Sequence, residues 1–102
     1  MSAGYVGILS AELYFPESGS LKTKRKDLKS TKAQLVQKFQ VAVAEVDHHD
    51  TWQRSRLTVS CVGRTHSDAA GILESVERFL CSRPHETVVV HRDIGKPDDW
   101  FA

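Results

Sequence analysis

Four cations stand where they could hold an anion. Lys22, Arg25, Lys26 and Lys29 fall at i, i+3, i+4 and i+7, so a helix gathers them into one ridge, with Asp27, the only acid between residues 18 and 44, round the other side. Lys22, Lys24 and Arg25 also crowd the expected first turn, where the helix dipole is already positive, at a cost of about 0.3–1 kcal/mol per charge at low salt. A bound anion would relieve it. The ridge therefore reads as a phosphate-contacting surface, with Lys24 near the helix start, which would hold RNA or DNA with little sequence choice because base reading needs side chains aimed at base edges. The competing reading is a solvated helix face whose lysines keep the protein in solution.

A second group, Glu45, Asp47, His48, His49 and Asp50, holds the only dense set of potential ligands or acid/base residues. Imidazole and carboxylate suit zinc or manganese. Adjacent histidines in a turn point apart, however, so the expectation is a polar turn with Asp50 bonding the backbone, and no metal. No nucleophile stands beside an obvious base and no glycine-rich phosphate loop occurs, so no catalytic residue, cofactor or small-molecule substrate is expected. Cys61 and Cys81 stand apart from each other without metal-ligand spacing and read as small buried hydrophobes. Trp52, with Gln53 and Arg54, either caps the core or docks the terminal pair Trp100-Phe101. As an alternative, Trp52 and Arg54 would anchor a partner protein.

The elements that must position these residues follow from periodicity. Residues 5–15 alternate, with Gly7, Leu9, Ala11 and Leu13 on one face and Val6, Ile8, Ser10, Glu12 and Tyr14 on the other, a long central strand. After Pro16-Glu17-Ser18-Gly19, Ser20 or Ser18 caps the basic helix, which runs to about Lys38 and buries Leu21, Leu28, Leu35 and Phe39, widened by Val36. Residues 41–47 and 54–64 form a hairpin, the second strand pointing Leu57, Val59 and Cys61 one way and Arg56, Thr58, Ser60 and Val62 the other. Thr65 and Asp68 open a second, amphipathic helix that stops at Ser82-Arg83-Pro84, and residues 86–93 supply the last strand.

The order β-α-β-β-α-β predicts an α+β ferredoxin-like sandwich: a four-stranded antiparallel sheet with both helices on one face, in a single domain over residues 1–102. The other face is left bare. Val6, Ile8, Val62 and Val89, assigned to it, are too apolar for water, which implies a sheet-to-sheet homodimer. Base stacking is the poorer reading, because Tyr14 is the only aromatic on that face.

The totals fit a globular domain, with 40% hydrophobic and 26% charged residues and a net charge of +1. The charge is unevenly placed, since residues 22–38 hold seven Lys/Arg against one acid. No signal-like start and no run approaching 18 apolar residues is present, so a cytoplasmic protein with no membrane association is expected.

Together, SLKTKR after the first strand, FQVAVAEVD leading into the hairpin, DTWQR at residues 50–54 and the terminal aromatic pair resemble the YlxP-like proteins, a bacterial family of small domains of unknown function. The resemblance covers essentially the whole chain. It implies a ferredoxin-like fold and a role near the ribosome, with no enzymatic activity. The family's basic motif maps onto Ser20, Leu21, Lys22, Lys24 and Arg25, and its hairpin motif onto Glu45, Asp50, Trp52, Gln53 and Arg54. His49 departs from the family's usual Gln.

Overall fold

The computed structural model describes residues 2–16 and 19–101. Its elements run β1 (Tyr5–Tyr14), α1 (Leu21–Phe39), β2 (Ala42–Asp47), β3 (Arg54–Gly63), α2 (His66–Cys81) and β4 (Glu86–Gly95), followed by the single turn α3 (Asp98–Phe101). The sheet order is β2-β3-β1-β4, and every neighbouring pair is antiparallel. Both long helices cover the same face, α1 over β2 and α2 over β1, β3 and β4, which is the ferredoxin-like sandwich expected from the element order.

Period-2 alternation in β1 and β3 sends Leu9, Ala11, Leu13, Leu57, Val59 and Cys61 under the helices, where Leu28 and Leu35 of α1 and Ala69, Leu73, Val76 and Leu80 of α2 complete the core. α1 is capped by Ser20, whose Oγ accepts from Thr23 N at 3.2 Å, and ends at Gln40 in the left-handed conformation, its N–H donating to Val36 O. The alternative cap Ser18 lies outside the described residues. Thr65 caps α2 by accepting from Asp68 N at 3.1 Å. Gly63 lets β3 approach the start of α2: a Cβ there would sit 2.7 Å from Ala69 N.

Four expectations are corrected. The buried stripe of α1 is Lys24, Leu28, Thr31 and Leu35, whereas Val36 is exposed and Leu21 and Phe39 are only half-buried. The helix is rotated so that its polar residues enter the core side. Val89 lies on the helix-covered face, because a bulge at Val90 shifts the register from Ser10↔His91 to Ala11↔Val89 and gives Val89 the orientation of Ala11. Cys81 is exposed, while Cys61 is buried, and burial pushes its thiol up. Trp100 and Phe101 are 64% and 76% exposed and lie beyond the end of β4, which pairs with the start of β1, whereas Trp52 precedes β3 beside the end of β1. Docking between them is thereby excluded.

Candidate nucleic-acid interface

The outer surface of α1 carries Lys22, Arg25, Lys26 and Lys29, all exposed, and the half-buried Lys32 extends the row Lys22, Arg25, Lys29 by one more position at helical spacing. None of the five has a carboxylate partner among the described residues, and the first turn holds no acid. At 1.5 Å per residue the row from Lys22 to Lys32 is about 15 Å long. Arg25, Leu28, Lys29 and Lys32 also form one side of a shallow groove whose other side is Glu45 and His49 of the hairpin.

Lys24 does not belong to this surface. Its side chain is 0% exposed, and its ammonium donates to His48 O and Thr51 O, both at 2.6 Å, while lying 3.1 Å from Glu45 Oε2. Three donors meet three acceptors, so the buried charge is fully satisfied and no capacity is left for a phosphate. Glu45 faces the helices because it pairs with Leu57 across β2–β3 and shares its orientation. Burial raises the Glu45 carboxyl, but hydrogen bonds from Ser55 (Oγ to Oε2, 2.5 Å) and Lys24, with the Lys24 charge and His49, outweigh it and leave the group below its ordinary value. Sequence reasoning missed this node. The available signal was that residue 24 lies four positions before Leu28 and seven before Thr31, hence on the same stripe.

The hairpin histidines diverge as expected. His49 Nδ1 lies 3.1 Å from Glu45 Oε1 on the helix side, and His48 Nε2 lies 3.4 Å from Glu12 Oε1 on the bare sheet face. It is Asp47, rather than Asp50, whose carboxylate accepts from the backbone, at His48 N (2.8 Å), and His48 itself takes a positive φ of 61°. Among the described residues no three His, Cys, Asp or Glu side chains gather closely enough to hold a metal.

The bare sheet face is polar at one end and apolar at the other. Glu12, only 8% exposed, lies 3.3 Å from Arg56 Nη1 and 3.8 Å from Arg54 Nη2, and Arg56 Nε donates to Ser10 Oγ at 3.0 Å. Arg54 also stands over the Tyr14 ring. Toward the other end Ile8 and Val62 are exposed, Val62 by 71%, and Val6 is half-buried between Val62 and Gly95. Val88, which pairs with Glu12, takes the exposed position on this face that had been assigned to Val89. Trp52 stays 47% exposed in the bend before β3.

Residues 6–93 match the family described as "Protein of unknown function (DUF503)", a span that takes in almost all of β1, the basic helix, the hairpin, α2 and most of β4. The chain belongs to the DUF503 family. In keeping with the YlxP-like motifs, this DUF503 chain is 30% identical over 96 residues to the uncharacterized protein YlxP of Bacillus subtilis (strain 168), an alignment covering 94% of this chain and 99% of that protein. Among solved structures it is similar to a C-terminal segment of the alpha subunit of aIF2 from Pyrococcus abyssi, with a TM-score of 0.53 and 14% identity over 88% of this chain and 52% of that one, a likeness of fold. Among the described residues no DUF503 helix is long and apolar enough to cross a membrane.

Proposed function

We propose that the protein is a non-enzymatic RNA-binding factor of the cytoplasm, acting near the ribosome, whose α1 ridge neutralises RNA phosphates. One observation carries this reading. Lys22, Arg25, Lys26, Lys29 and Lys32 stand together on one surface of α1 and face no carboxylate among the described residues, whereas Lys24 of the same helix does. Phosphates alongside a helix N-terminus would supply the missing counter-charge. Fluorescence anisotropy of a labelled single-stranded RNA at two salt concentrations tests it. Wild type is expected to bind with a log–log salt slope of about −2, the value for three phosphates neutralised on a single strand. The folded variant Lys22→Glu/Arg25→Glu/Lys29→Glu is expected not to bind. Equal binding by both proteins, or none by either, overturns the reading.

A second reading rests on the exposed Ile8 and Val62, with Trp52 and Arg54 at the other end of β3: the bare sheet face associates with a second copy, and the protein is an interaction module without nucleic-acid binding. Self-association and RNA binding use different faces and can coexist.

A further inference from the structure

On the flank of α1 away from Glu45 a cavity of about 200 Å3 opens between three elements: Phe15 and Pro16 where β1 ends, Thr23 and Asp27 of α1, and Arg83, Pro84 and His85 between α2 and β4. Phe15 and His85 are both buried, their rings 5.1 Å apart and tilted by 40°. Two nitrogens of the lining residues, Arg83 Nε and His85 Nε2, are buried without a hydrogen-bond partner among the described residues, an uncommon state for a native donor or acceptor. Asp27, the sole acid of the basic helix, is exposed and has no cationic partner among the described residues. Burial, reinforced by the Arg83 charge and opposed by Asp27, lowers the His85 pKa and favours the neutral imidazole. The cavity thus has apolar and aromatic walls, the Asp27 carboxylate on one side and, on another, Arg83, whose guanidinium lies 5.7 Å from the centre of the Phe79 ring.

Lys22 and Lys26 each precede a lining residue, Thr23 and Asp27, by one position, about 100° round the helix. Lys22 and Lys26 are the cations on the cavity side of the ridge, so a strand they hold has only the flank of the helix between it and the cavity mouth. Unpaired RNA bases are taken up by stacking on aromatic side chains and are read by hydrogen bonds along their edges. Guanine carries two adjacent donors, N1–H and the N2 amino group, for a carboxylate, and two adjacent acceptors, O6 and N7, for a guanidinium. We infer that this cavity receives one unstacked base of the bound RNA and that Asp27 and Arg83 select guanine. The inference rests on the proposed RNA binding and adds base choice to a surface that alone has none.

Two measurements separate its failure from that of the ridge. Anisotropy compares an all-uridine RNA with the same strand carrying one central G or one central A. Wild type is expected to bind the G strand about tenfold more tightly than all-U, and in Asp27→Asn and in Arg83→Gln that ratio is expected to fall to near one. A wild type that binds all three strands alike overturns the pocket and leaves the ridge standing, and a preference for the A strand overturns the guanine assignment. Titration with guanosine, which carries no phosphate, followed by backbone amide NMR, probes the cavity without the ridge. Shifts centred on Phe15, Thr23, Asp27 and His85 support the pocket even if no RNA strand binds, and their absence at millimolar ligand overturns it.

Discussion

A single methylene-rich side chain shows how far residue type alone can mislead. Lys24 sits within a run of cations and shares their charge, yet its ammonium closes the hairpin onto α1 through His48 O, Thr51 O and Glu45. Removing it leaves two carbonyls without their donor and a largely buried carboxylate without its counter-charge, so Lys24→Met is expected to lower the unfolding free energy by about 3 kcal/mol in urea titrations. The pH dependence follows from Glu45. Its folded value lies below the ordinary 4.5, so the folded state binds fewer protons than the unfolded chain as the pH falls past that value. The stability contributed by the carboxylate is present above about pH 4.5 and is lost as the pH falls through the folded value. In Lys24→Met burial acts with less opposition, the folded value rises toward the ordinary one, and the part of the acid limb that Glu45 contributes is expected to shrink. An unchanged acid limb would show that the Lys24 charge contributes nothing to holding Glu45 ionised.

At the scale of elements, the close approach of β3 to α2 leaves no room for a side chain at Gly63. A methyl group there meets the backbone at Ala69 N, which no rotamer change can relieve, so Gly63→Ala is expected to destabilise by about 1–3 kcal/mol, read as a drop in the thermal midpoint. Element order, the faces of β1 and β3 and both helix caps were legible in the sequence because alternation in those strands and the Ser20 and Thr65 signals are local. The rotation of α1 was not. Leu21, Leu28, Leu35 and Phe39 define a plausible stripe by hydropathy, and only the tertiary pairing of Lys24 with Glu45, twenty-one positions away, shows that the helix buries Lys24 and Thr31 instead. Val89 was misplaced for a related reason: a bulge changes the parity of a strand, and three consecutive valines carry no trace of which one is the extra residue. Of the candidate surface, the ridge itself was legible, whereas the cavity beneath Asp27 joins three segments distant in sequence and has no local signature.

The whole molecule measures 51 × 24 × 20 Å, an elongated sandwich with its basic helix on one face and its bare sheet on the other. If a second copy covers that sheet, burial of Ile8 and Val62 drives the pairing, and wild type is expected to sediment as a dimer at micromolar concentration while Val62→Asp sediments as a monomer. A monomeric wild type would remove self-association from the account. How copies meet is also constrained by β4, an outer strand of the sheet that exposes Val88 and Val90. A row of valines on an open edge invites strand after strand to add without limit, the route to fibrous aggregates. The bulge at Val90 breaks the evenly spaced backbone groups midway along β4, so an incoming strand in register with Thr87 and Val88 falls out of register beyond it. One extra residue thus serves as a safeguard against edge-to-edge growth.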